Sequence, residues 1–149
     1  MEKKYWEKIA PNYETEIFDV LYNDKSGKII NAIKEFADKK NTMIDIGCGI
    51  GKWVPILSPL FKQVTAVDIS AKNLVIAEKK YSRYKNVEFD QIDMSTKTMK
   101  TKKYDAAICI NAILSESEKK RDIFIRHMSM FIKKGGNLVL VVPSRIKTI

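Results

Sequence analysis

Gly47, Gly49 and Gly51 alternate with Cys48 and Ile50, and Asp45 stands two residues ahead of them. Three side-chain-free positions in five residues suit a tight turn whose backbone can meet a ligand directly. A plain strand-to-helix turn needs one glycine and seldom three. A second acid, Asp68, follows 17 residues beyond Gly51. A carboxylate there can accept hydrogen bonds from both hydroxyls of a ribose. The competing role for Asp68 is a helix N-cap, for which Ser70 is the better placed candidate. The spacing is G-x-G-x-G, not the G-x-G-x-x-G of dinucleotide sites, since the sixth place counted from Gly47 is Lys52. That disfavours a nicotinamide-dependent oxidoreductase.

The elements around this corner alternate. Buried strands are expected at 41–46, 63–69, 86–92, 104–110 and 137–142, most of them near-continuous apolar runs. Helical spacing fills 25–40, 70–84 and 115–136; Ser70 and Ser115 are the caps, and Lys133, Lys134, Gly135 and Gly136 the stop. This order predicts an α/β, three-layer, doubly wound and mostly parallel sheet. Ligands of such folds sit at the carboxyl ends of the strands.

With 149 residues, 45% hydrophobic and 30% charged, the chain suits one globular domain, 1–149. No apolar run reaches the roughly 20 residues of a membrane span, and the acid-bearing N-terminus does not read as a signal peptide. A cytoplasmic protein with no membrane partner is expected, in keeping with Cys48 and Cys109, which lack metal-ligand spacing. The net charge of +9 raises a nucleic-acid partner, but 23 of 27 basic residues are Lys, scattered among acids. That pattern is a solvated surface rather than a phosphate reader.

The stretches DIGCGIGKW, VTAVDIS, VEFDQIDMS, YDAAICINAIL and IKKGGNLVLVVPS together resemble a class I S-adenosylmethionine-dependent methyltransferase, over about Tyr5 to Pro143. The resemblance implies the strand order 3-2-1-4-5 and S-adenosyl-L-methionine as cofactor. Asp45 and the Gly47 and Gly49 backbone, with Cys48 and Gly51 in the same loop, would hold its methionine part. Asp68 would grip the ribose, and Ile69 would pack on the adenine. Asp93 would accept from the adenine amino group, with Met94 beside the ring; capping a turn and filling the core are their competing roles. Asn111 would present its carbonyl to the cofactor's amino group, and Lys52 or Trp53 could close over the loop. No catalytic residue or metal ligand is identified. His127, the lone histidine, is expected at the surface of the last helix, far from the strand ends.

Residues 1–24 resemble the W-x-x-x-A-x-x-Y lead-in of small-molecule methyltransferases, which implies an N-terminal lid carrying Tyr5, Trp6, Tyr13, Phe18 and Tyr22. The acceptor is therefore expected to be a small molecule. A non-catalytic cofactor-binding module of a larger assembly and an RNA methyltransferase are the alternatives. The sequence stops at Ile149, where the family continues with one helix and two strands. The C-terminally shortened sheet would leave strand five as an apolar edge, and a homodimer through that edge, or a tail folded across it after Pro143, is expected.

Overall fold

The computed structural model describes residues 3–96 and 102–144. An N-terminal stretch carries helices α1 (Lys3–Ile9), α2 (Tyr13–Glu16) and α3 (Val20–Asn23), then α4 (Lys28–Lys34) leads into β1 (Thr42–Ile46). After it come α5 (Val54–Leu57), β2 (Gln63–Asp68), α6 (Ala71–Lys80), β3 (Val87–Gln91), β4 (Tyr104–Ile110), α7 (Glu118–Met130) and β5 (Ile132–Val141). The five strands form one parallel sheet in the order β3-β2-β1-β4-β5. No helix among the described residues is long and apolar enough to cross a membrane.

The apolar runs are continuous because the central strands are covered on both faces. Along β1 and β4, Met43, Ala106 and Ile108 pack to one side with Ile33, Trp53, Leu57 and Phe61. Ile44, Ile46, Ala107 and Cys109 alternate to the other side, against Met128 and Phe131. Each buried Ile, Leu, Met or Phe among them contributes roughly 1.5–3 kcal/mol. Trp53 is part of this core and 6% exposed.

Several boundaries differ from the sequence reading. The first long helix is only Lys28–Lys34, entered through Gly27 in the left-handed region. Ser70 caps α6 as expected, its Oγ accepting from the Asn73 N–H. The last helix is capped by Ser117, not Ser115, and ends at Met130. The expected glycine stop lies inside β5 instead. Phe131 is 3% exposed and its carbonyl accepts from the Tyr104 N–H at 2.7 Å, so the chain enters the sheet at once. Residues 133–136 then form an irregularity between the Ile132 and Asn137 pairings. A Cβ on Gly136 would lie 2.8 Å from the Asp105 carbonyl, which is why that position carries none. β5 lies at the edge of the described sheet, as expected, with Leu138 at 39% and Leu140 at 42% exposure, and Val142 just beyond it at 52%. The tail beyond Ser144, expected to cross that edge, lies outside the described residues.

His127 is not at the surface. It is 6% exposed, and its Nδ1 lies 2.7 Å from the Met94 carbonyl, so Nδ1 carries the proton and donates. This bond ties α7 to the turn that follows β3. His127→Ala leaves a buried carbonyl without its donor and is expected to lower stability by about 1–3 kcal/mol, seen as a lower urea midpoint; an unchanged midpoint would contradict the tie.

Candidate functional site

β1 delivers Asp45 one residue before its end, and the chain then turns through Gly47, Cys48 and Gly49. Gly47 has φ +74° and Gly49 φ +56°. The space a Cβ would take on Gly47 is filled by Ala112, and on Gly49 by the Tyr13 hydroxyl, so both need glycine twice over. Gly51 instead packs on α6, where a Cβ would stand 3.1 Å from Tyr81.

Asp68 ends β2 beside this turn. Its Oδ2 accepts from the Gly49 N–H at 2.8 Å, and its Oδ1 from the Ser70 N–H at 2.9 Å and Asn73 Nδ2 at 3.4 Å. Asp68 therefore does not cap α6; it locks the glycine turn to the start of that helix. Burial pushes its carboxyl upward, against the lowering effect of those three bonds. Asp45 is 2% exposed and pushed up to about 7, by burial first and the charge of Asp68 second. Its Oδ2 has no hydrogen-bond partner, and neither has Oδ1 of Asn73. Among the described residues these are the only two buried side-chain polar atoms so placed, and both are acceptors beside the glycine turn.

A cleft opens at the carboxyl ends of the strands. Gly47, Asp68, Ile69, Asn73, Asp93, Met94 and Asn111 line it, with Trp6 and Tyr13 from the N-terminal segment. A second cavity, behind Tyr13, is lined by Asp45, Gly47, Cys48, Lys52 and Asn111. Gly49 and Gly51 line neither. Asn111 has φ 54°, the one left-handed non-glycine among the described residues, and its N–H donates to the Val141 carbonyl at 2.8 Å. That reversal ends β4 at the cleft. Asp93 caps its turn, Oδ1 accepting from Ser95 N at 2.9 Å and Ser95 Oγ at 2.6 Å, and it also lines the cleft. Met94 likewise lines the cleft and belongs to the core.

The N-terminal segment lies across the glycine turn. Lys52 Nζ pairs with Asp19 Oδ2 at 2.5 Å and stands 3.9 Å from Glu14, fastening that segment to the loop. Tyr13 separates the two cavities. Burial, then the charges of Asp68, Cys48, Asp45 and Asp19, push its phenol well above the ordinary value, so it stays protonated. Tyr5 and Tyr22 line neither cavity, being 40% and 69% exposed. Burial holds both cysteines as neutral thiols, Cys109 at about 12. No group of metal-ligating side chains occurs among the described residues. The sequence reading missed Asn73, Arg121 and Phe124 as cleft residues; the last two carry no motif, and only the fold brings them to the cleft.

Asp45 costs the free protein stability. Its folded pKa is raised above the ordinary 3.8, so the cost is absent below about 3.8, grows as pH rises from there toward about 7, and is complete above that. Asp45→Asn is expected to stabilise the ligand-free protein by roughly 1–3 kcal/mol above pH 7, by less at pH 5, and negligibly below about pH 3.8. Thermal unfolding across that range checks it; a lower Tm for the variant at pH 8 would contradict it.

Comparison with known proteins agrees with this arrangement. Residues 43–136 match the family described as methyltransferase domain. The chain is 31% identical over 123 residues to the ubiquinone biosynthesis O-methyltransferase of Pelagibacter ubique, covering 77% of this chain and 50% of that protein. It is 31% identical over 111 residues to the malonyl-acyl-carrier-protein O-methyltransferase of Halalkalibacterium halodurans, covering 71% and 40%. The chain thus spans half or less of the length of these relatives. A solved S-adenosylmethionine-dependent methyltransferase of Clostridium acetobutylicum superposes with a TM-score of 0.73 and 26% identity, over 94% of this chain and 58% of that one. The glycine turn, its acids and the 3-2-1-4-5 sheet all fall within one lineage, and the chain belongs to the methyltransferase-domain family, the class I S-adenosylmethionine-dependent methyltransferases.

Proposed function

We propose that this chain binds S-adenosyl-L-methionine over the glycine turn and transfers its methyl group to a small-molecule acceptor held in the cleft. The observation that carries the reading is the pair of unpartnered buried acceptors, Asp45 Oδ2 and Asn73 Oδ1, at a turn that also holds Asp68. The cofactor offers an ammonium and two ribose hydroxyls, the donors such acceptors lack.

The residues divide the work by position. Asp45, with the Asn111 carbonyl, takes the ammonium. Tyr13, kept protonated, can donate to the neighbouring carboxylate group. Asp68 already accepts three bonds, so it is rigid, and a carboxylate has about four lone-pair sites. It takes one ribose hydroxyl, and Asn73 Oδ1 takes the other. Ile69 and Met94 flank the adenine, and Asp93 receives its amino group. When bound, the cofactor supplies a methyl already activated on a sulfonium, so the transfer needs no metal and no covalent enzyme intermediate.

What the protein adds is alignment and exclusion of water. Trp6 and Tyr13, on the segment fastened by Lys52 and Asp19, form a lid over the transfer point. Trp6, Leu114 and Phe124 give the cleft apolar walls suited to a small acceptor. His127 is turned away toward the Met94 carbonyl and is not the base for an acceptor proton.

Calorimetric titration tests this. S-adenosylhomocysteine is expected to bind and NAD not to, and Asp68→Ala should weaken the former by about 1–3 kcal/mol. Binding of NAD alone, or unchanged affinity in the variant, would overturn the assignment.

A further inference from the structure

The cleft has two ends of opposite charge. Asp68 and Asp93 stand at the ends of β2 and β3, in the part read above as the nucleoside site. The same cleft is also lined by Lys3 of α1 and by Lys120 and Arg121 from the first turn of α7, beside Ser115, Leu114 and Phe124. Nothing in the nucleoside reading uses these cations.

Arg121 is the most informative of the three. It is half-buried, and its Nη1 donates to the carbonyls of Ser115 at 2.8 Å and Glu116 at 2.9 Å. Those two bonds fix the plane of the guanidinium. Its Nε and Nη2 have no partner among the described residues, and no carboxylate pairs with it. The open donors of this planar fork suit a carboxylate or a phosphate. Lys3 likewise has no ion pair among the described residues. A sulfonium carried in the same cleft would add a further positive charge. An acceptor with a cationic or neutral head gains nothing there, whereas an acid is drawn in by Arg121 and Lys3.

We propose that the methyl acceptor is a small acid, its carboxylate or phosphate group held by the Arg121 fork and by Lys3. This rests on the cofactor reading above, and the first step of its test separates the two. S-adenosylhomocysteine is titrated into the full chain; if it fails to bind, the cofactor reading falls before any anion is added, and this proposal with it. Inorganic phosphate and malonate are then titrated separately into the S-adenosylhomocysteine complex at low salt.

The expected result is saturable binding of at least one anion. Which of the two binds distinguishes a phosphate-bearing from a carboxylate-bearing acceptor. Lys3→Gln and Arg121→Lys should each weaken that anion at least fivefold, the second because charge remains while the fork is lost. Their affinity for S-adenosylhomocysteine should stay within twofold of the parent. Lys3 is exposed on α1, so its variant keeps the test alive if Arg121→Lys disturbs the 115–116 loop.

Saturation by neither anion, or equal binding in both variants, overturns the proposal. A tenfold loss of S-adenosylhomocysteine affinity in the variants would assign the cations to the cofactor's own carboxylate, and overturns it as well. So would a single-stranded RNA oligonucleotide that displaces the anion at micromolar concentration and loses affinity in the same variants.

Discussion

Two carboxylates held out of water at the ends of adjacent parallel strands govern this molecule. Asp45 and Asp68 are each less than a tenth exposed, and the charge of Asp68 adds to the cost of ionising Asp45. Asp68 is compensated by the Gly49 and Ser70 N–H groups and by Asn73. Asp45 is not; one of its oxygens is unpartnered. Such a group is maintained at a cost in stability, and unpaid polar burial of this kind concentrates at sites that bind something. The glycine turn exists to bring the backbone between the two acids, and the sheet order 3-2-1-4-5 places both at the same edge of the fold.

Around that pair the remaining parts are supports. β4 ends in the left-handed Asn111, which reverses the chain at the cleft. α7 holds the turn after β3 through His127 and the Met94 carbonyl. The N-terminal segment is laid over the glycine turn by Lys52 and Asp19, and it sets Tyr13 against Gly49. None of these contacts joins neighbours in sequence; His127 and Met94, for instance, are 33 residues apart. The site is therefore an outcome of tertiary packing, although its central acids lie on two short strands.

The parts legible in the sequence are those whose cause is local. Tyr104–Ile110 reads as a strand because its apolar run is continuous, and it is a strand over those residues. Gly47 and Gly49 read as a turn because no other residue type is so free there. Ser70 was recognisable as a cap by its place ahead of an apolar period. What failed has long-range causes. Gly135 and Gly136 look like a helix stop, but Phe131 packs on Tyr104 and pulls the chain into β5 first. His127 looks like a surface residue because its partner carbonyl leaves no mark in the sequence. Among 23 lysines, nothing singles out Lys3 and Lys120 as the ones the fold brings to the cleft beside Arg121.

The most direct measurement of the central claim is the affinity of S-adenosylhomocysteine as a function of pH, in the parent chain and in Asp45→Asn. In the free protein Asp45 takes up a proton below about 7, and a protonated carboxyl cannot hold an ammonium. Affinity in the parent should be level near pH 8 and fall as pH drops toward 5.5, approaching tenfold per unit. The variant should bind weakly and with little dependence on pH. A parent whose affinity is constant across that range, or a variant that retains the full pH dependence, would contradict the account.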